Sequence, residues 1–237
     1  KVTGVQTCAL PIYFMTGTVA AMGTLAALMG REKNGGCDVD VSLFDVALHQ
    51  LSYPGTWYMN HGIRTTRVAR SGHPSNAPVQ LYTTGDGWIF IMCMTQKFWL
   101  LLLETLEAPE LAEDPRFLSM QDRHRNREEL TPVLDALFRA RATDEWIERL
   151  QSRVPVAPVY DLPKALDNPF VEDIEMIQDM PYRDQGTLRT LRNPIKLDGS
   201  RLRGTPGHGL GEDNALIYGD LLGLTESLDT LIDDDVI

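Results

Sequence analysis

With 237 residues, 43% of them hydrophobic and 23% charged, the chain has the makeup of a globular protein large enough for one big domain or two small ones. A formal net charge of −11 argues against a nucleic-acid surface, whose affinity comes largely from cations meeting phosphates. Cys8, Cys37 and Cys93 form neither a disulfide framework nor a zinc pattern, so no metal is expected and a reducing cytoplasm is the expected compartment. No apolar run is read as reaching the roughly 20 residues that span a bilayer, so no membrane is expected either.

In chain order, Val2 to Ile12 (VTGVQTCALPI) resembles the conceptual translation of a sequencing adapter. Residues 1–13 are therefore set aside from the fold reasoning. Thr16 can cap a run rich in Ala, Leu and Met that ends at Gly35-Gly36, which reads as a buried helix. Val39, Val41 and Leu43 alternate with Asp38, Asp40 and Ser42 as in a strand, and Ser42-Leu43-Phe44-Asp45 has the form of a capping box opening the next helix. That helix is expected to run until Pro54-Gly55. Asn60 to Ala77 loses apolar periodicity and gathers Arg64, Arg67, Arg70, Gly72, His73 and Pro74. It is either a solvated linker or a binding loop whose arginines lie near an anionic ligand.

Val79 to Tyr82 and Trp88 to Met92 flank Gly85-Asp86-Gly87, a hairpin signal that opens a second domain. Phe98 to Leu106 is a core helix and Asp114-Pro115-Arg116-Phe117 a turn. Gln121 to Arg141 places Leu130, Val133, Leu134, Leu137 and Phe138 at helical spacing, with the charged run RHRNREE on the solvated side. Thr143 is the expected cap of a further helix, and Val154 to Val159 turns the chain back toward the first domain. Asp161 caps a short helix, and Asp184-Gln185-Gly186 joins strands over Glu175 to Met180 and Leu188 to Leu197. His208, in the loop GTPGHGLG, has no evident base partner and reads as a loop residue. The glycines there lack the strand and βαβ unit of a dinucleotide fingerprint. Glu212 to Leu222 closes as a helix, and Asp233-Asp234-Asp235 reads as a frayed tail.

Taken together, Thr16-Gly17, Gly23 to Leu28, Arg31, Gly35-Gly36 and Val39 to Asp45 resemble, in order, a landmark of the family III CoA-transferases (CaiB/BaiF type), which include formyl-CoA transferase, carnitine CoA-transferase and 2-methylacyl-CoA racemases. Gly85-Asp86-Gly87, Asp114 to Phe117, Pro155 to Val159 and Leu221-Leu222-Gly223 resemble its later landmarks. The resemblance implies an α/β fold: a partial Rossmann-like large domain plus a small α+β domain. Residues 14–77 and 169–237 would belong to the large domain and 78–168 to the small one. It also implies an N-terminally truncated chain whose full-length parent forms an interlocked homodimer.

The implied chemistry is transfer of CoA between an acyl-CoA thioester and a carboxylic acid, with CoA thioester as substrate and no tightly bound cofactor. An Asp attacks the thioester, and backbone donors stabilise each oxyanion. In the family pattern that Asp lies four residues before the glycine of the Thr-Gly pair, and counting back from Gly17 reaches Tyr13. Residues 1–31 contain no Asp or Glu, so the sequence departs from the family at the nucleophile. Tyr and Asp codons differ only in their first base, which the adapter reading assigns to adapter DNA. Gly72, His73, Pro74, Ser75 and Leu43 are the candidates for substrate and CoA contact. Two further readings stand beside the transferase: a non-catalytic homologue that binds or assembles, and an acyl-CoA racemase of the same fold.

Overall fold

The computed structural model describes residues 4–224 and 228–233, and the chain divides into two units, Lys1–Val159 and Tyr160–Ile237. The end of the acidic tail, Asp234-Asp235, lies outside the described residues.

Unit 1 opens with α1, Gly4–Asn34. Thr16 does not cap it: the helix runs through that position, and the Thr16 hydroxyl donates to the Ile12 carbonyl at 2.8 Å inside the helix. A hydroxyl that can bond the carbonyl four residues back is compatible with a helix interior, so capping chemistry alone could not fix the start. Nor is the helix buried, since Phe14 is 69% and Met29 87% exposed. Among described elements α1 packs against α2, Leu43–His49, which leaves most of its surface uncovered. Because α1 extends further toward the N-terminus than expected, Pro11–Asn34 is long and apolar enough to cross a bilayer by length and composition alone. Its C-terminal end follows the sequence: Gly35 adopts φ 77° and donates its N–H to the Arg31 carbonyl at 2.9 Å.

The strand expected over Val39 to Leu43 does not form; residues 35–42 are neither helix nor strand. Alternation prepares a segment for a sheet, but a strand needs ladder partners, and none of the sheets among described residues includes this segment. Val39 packs on α1 instead, close enough to Gly23 that a Cβ there would stand 3.0 Å from its Cγ1. Ser42 caps α2 as expected, its Oγ accepting the Asp45 N–H at 3.0 Å and donating to Asp45 Oδ2 at 2.6 Å. The next break falls at Gln50-Leu51, before Pro54; α3 spans Ser52–His61, and Pro54 sits in its first turn, where a missing N–H costs little.

The rest of unit 1 is a three-stranded antiparallel sheet, β1 (Val79–Thr83), β2 (Trp88–Met92) and β3 (Val156–Pro158), in the order β1-β2-β3. The prolines of 155–158 are accommodated because β3 is an edge strand. Helices α4 (Gln96–Thr105), α5 (Met120–Arg125), α6 (Arg127–Phe138) and α7 (Thr143–Leu150) contribute to the core around Trp99, Leu102, Leu134, Phe138 and Trp146. Thr143 is the first residue of α7 and not its cap; Asp86 of the hairpin turn does that work, its Oδ1 accepting the Thr143 N–H at 2.7 Å. Gly85 is required there, since a Cβ would come 3.0 Å from the Arg141 carbonyl oxygen.

The charged run 123–129 is not simply a solvated face. Arg123 is fully buried and donates to the carbonyls of Ala77, Phe117 and Leu118 and to Gln96 Oε1, with its guanidinium 4.8 Å from the Trp99 ring centroid. A buried cation is retained only where its donors are satisfied, and here carbonyls rather than carboxylates do so.

In unit 2, α8 (Leu162–Leu166) is capped by Asp161 as expected and α9 (Pro169–Asp173) by Asn168. β4 (Ile177–Pro181) and β5 (Thr187–Leu191) form an antiparallel hairpin about Gly186, which has φ 89°. A second, minimal hairpin pairs β6 (Lys196–Leu197) with β7 (Ser200–Arg201).

Candidate functional site

The candidate loop is built from both sides. From the N-terminal side, Arg70 adopts a left-handed conformation (φ 57°) and grips Asp135 of α6 with both terminal nitrogens, at 2.8 and 2.7 Å, while lying over Trp88. Asp135 also accepts the Thr83 N–H at 2.9 Å, so Arg70 is committed to structure and is not free to meet an anionic ligand. Arg64 and Arg67 remain exposed. Gly72 follows, and a Cβ on it would overlap the Arg127 guanidinium and the Val68 side chain, so the position tolerates no larger residue.

From the other side, three basic side chains of α5 and α6 catch the carbonyls of the same loop. Arg127 Nη2 donates to the His73 and Asn76 carbonyls at 2.6 and 2.7 Å, His124 bonds the Pro74 carbonyl at 2.8 Å, and Arg123 holds Ala77. The loop is thus preorganised by the charged run that sequence reading sends to solvent. Arg123 and His124 lie in the last turn of α5 and Arg127 opens α6, so the three converge through the break at Asn126, on acceptors that lie far back in the chain.

His73 sits at the centre. Its ring stacks on Tyr53 of α3, with Nε2 3.2 Å from the Tyr53 hydroxyl, and its Nδ1 accepts the Ser75 N–H at 3.2 Å. An acceptor role at Nδ1 puts the proton of the neutral ring on Nε2, which then donates to Tyr53. Burial, followed by the nearby Arg127 and His124, holds the His73 pKa below its ordinary value of 6.5. Tyr53 was invisible to sequence reasoning, because an aromatic on a short helix carries no signal that it will face a histidine twenty positions on.

The lowered pKa has a sign. The unfolded chain binds a proton at His73 more readily than the folded loop does, so stability of the loop is present above about pH 6.5 and falls as pH drops through that value. The protection factor of the His73 amide, whose N–H donates to the Val79 carbonyl, should therefore fall on acidification once the pH dependence of the intrinsic exchange rate is divided out. His73→Gln should flatten that dependence; a slope unchanged in the variant would show that His73 is not its source.

The other candidates are not gathered around this loop. Tyr13 is 66% exposed on α1, where its ring meets Phe14 edge-on, and Leu43 is 50% exposed at the start of α2. The structure shows neither in contact with residues 72–75 among the described residues. His208 does have a partner, contrary to the sequence reading: Asp213 approaches its Nδ1 at 2.7 Å and raises its pKa, a pairing that lies in an exposed loop of unit 2. No metal-holding cluster of His, Cys, Asp and Glu occurs among the described residues.

Residues 3–214 match the profile of CoA-transferase family III. The match includes residues 3–12, which sequence reading sets outside the family, and stops before Leu221-Leu222-Gly223. The chain is 30% identical over 226 residues to the succinyl-CoA–D-citramalate CoA-transferase of Chloroflexus aurantiacus, covering 90% of this chain and 54% of that protein. It is 29% identical over 185 residues to the acetyl-CoA:oxalate CoA-transferase of Acetobacter aceti, covering 77% and 46%. A CaiB/BaiF family protein from Brucella suis has a crystal structure that superposes with a TM-score of 0.73 at 27% identity, covering 93% of this chain and 57% of that one. The chain spans about half the length of the relatives it matches. Sequence and fold agree over nearly all of what is present, and on that ground the chain belongs to CoA-transferase family III and has an α/β fold.

Proposed function

We propose that this chain is part of an enzyme that moves CoA between an acyl-CoA thioester and a carboxylic acid. The observation that carries the reading is the family match over residues 3–214, joined by relatives whose names describe that transfer. CoA enters as substrate, with no tightly bound cofactor. In this reading an enzyme carboxylate attacks the thioester to give a mixed anhydride and CoA thiolate. The thiolate attacks the enzyme's own acyl carbon in that anhydride, giving an enzyme thioester and releasing the donor's carboxylate, and the acceptor carboxylate then reverses the sequence. The reading takes the loop at Gly72 to Ser75, whose His73 and Pro74 carbonyls are engaged by Arg127 and His124, as a substrate-contacting loop.

Tyr13 takes the position of the nucleophilic Asp, and the adapter reading of residues 2–12 supplies the reason. Phenols ionise near pH 10 and give aryl esters, so this residue does not replace a carboxylate in the anhydride step. The reading therefore includes a truncated chain that is inactive as it stands, whose full-length parent is a cytoplasmic, interlocked homodimer. The missing carboxylate is also what favours the second reading, a homologue that binds or assembles without catalysing.

The test is CoA exchange from acetyl-CoA and succinyl-CoA to carboxylate acceptors, read by chromatography. No transfer is expected from this chain or from Tyr13→Asp alone. Tyr13→Asp in a chain extended to the relatives' length should exceed its Tyr13 counterpart by ~10⁴-fold or more, the scale on which loss of a nucleophile is felt. Transfer by the present chain would refute the assignment of Tyr13, and equal activity of the two extended chains would refute the aspartyl route.

A further inference from the structure

Unit 2 holds a cavity of about 460 Å³ between α9 and the β6–β7 hairpin, lined by Arg192, Lys196, Arg201 and Arg203 together with Asp173 and Glu175. Four cations face two carboxylates on a protein whose net charge is −11, so the concentration is local and runs against the whole. The way the hairpin is built makes it sharper. Asp198 and Gly199 have φ 49° and 79°, the two positive values of a tight two-residue turn, which sets Lys196 directly opposite Arg201 in the antiparallel register. Like charges at opposed positions repel and destabilise a strand pair, and this pair has only two rungs.

The existing partners do not discharge that repulsion. Glu175 is taken by Arg192 at 3.1 Å. Arg201 is fixed by carbonyls, its Nε donating to Ile174 at 2.8 Å and its Nη1 to Pro194 at 3.1 Å, so its charge stays unneutralised while its position is set. The side chains of Lys196 and Arg203 make no hydrogen bond or ion pair among the described residues. Arg192 Nε is buried and has no acceptor, so this guanidinium too is incompletely satisfied by the protein.

We propose that this cavity is a binding site for a phosphate-bearing anion. Guanidinium forks fit phosphate oxygens two at a time, while an ammonium supplies a point charge, and the cavity combines both. Lys196 and Arg203 make the adjustable contacts, and Arg201 is the preorganised one. The site stands independently of the transferase reading, because it uses none of the residues assigned to that chemistry. Free phosphate and the phosphates of a nucleotide share this chemistry.

Calorimetric titration of the full chain with pyrophosphate, inorganic phosphate, ADP and acetate tests it. Pyrophosphate should bind once per chain, at least tenfold more tightly than acetate, and should raise the melting temperature as ligands of the native state do. Its affinity should fall as salt rises. Lys196→Gln with Arg203→Gln, both at exposed positions, should weaken binding at least tenfold with unchanged circular dichroism. Arg67→Gln in unit 1 should leave it unchanged. Tighter binding of ADP than of pyrophosphate supports a nucleotide-borne phosphate, and the reverse supports the free anion. Absence of saturable binding by all three phosphate-bearing probes, or an affinity untouched by the double substitution, overturns the proposal.

Discussion

Arg123→Ala should cost the sheet-and-helix part of unit 1 about 4 kcal/mol or more, because the substitution takes the guanidinium donors from the buried contacts at the Ala77 and Phe117 carbonyls, each costing about 1–3 kcal/mol, and opens a cavity beside Trp99. That is a large share of the roughly 5–15 kcal/mol by which a domain is stable. Arg123→Lys should recover little, since one ammonium cannot span acceptors that come from residues 77, 96, 117 and 118. Arg123→Met, which fills the space and removes the cost of burying a charge, should fall between. Urea unfolding followed by near-ultraviolet circular dichroism reads the result as a midpoint shift of about 2 M for the alanine variant. A shift equivalent to less than about 1 kcal/mol would mean that water replaces the guanidinium at those carbonyls. Because Arg123 also holds Ala77, the alanine variant should loosen the Gly72 to Ala77 loop along with the core.

The contrast between Arg123 and the caps shows what a sequence can and cannot specify. Gly35, Ser42, Asp161 and Gly186 behave as read because each is governed by residues within four positions of itself: a carbonyl to satisfy, an N–H to accept, a turn that needs positive φ. The hairpin at Gly85-Asp86-Gly87 was legible for the same reason, but its cap on α7 was not, since Asp86 and Thr143 meet only after the core has formed. Val39 to Leu43 failed in the opposite way. Its alternation is correct for a strand and the strand is absent, because a local pattern cannot supply the neighbour with which it would pair. The candidate loop was placed correctly by its loss of periodicity and its glycine, whereas its supports, Tyr53, His124 and Arg127, come from segments that periodicity assigned to other duties. The cationic cavity of unit 2 had no signal at all, since its four basic residues are scattered over twelve positions and converge through a two-residue turn.

The chain in solution should self-associate through α1. Phe14, Met22, Leu25 and Met29 are 69, 65, 60 and 87% exposed, and their spacings of eight, three and four keep them on one side of the helix. Tyr13 and Leu28, 66 and 50% exposed, carry apolar surface onto the flanks, so the helix is apolar well beyond a single stripe. Such a helix belongs in a core or a bilayer, and the packing of α2 and Val39 leaves most of it uncovered among the described residues. Burying each of these large side chains is worth about 1.5–3 kcal/mol, so the stripes of two paired chains together contribute about 12–24 kcal/mol. Association costs an estimated 4–15 kcal/mol, which leaves a balance that favours assembly at ordinary protein concentrations. Sedimentation velocity should show little monomer at micromolar concentration. Met22→Glu with Met29→Glu should shift the distribution toward monomer by at least tenfold in dissociation constant, because two carboxylates facing a second apolar helix would be buried unpaired. A monomer in the unsubstituted chain would refute the prediction. Co-flotation with phosphatidylcholine vesicles in place of self-association would assign the same surface to a membrane and overturn the expectation that none is involved.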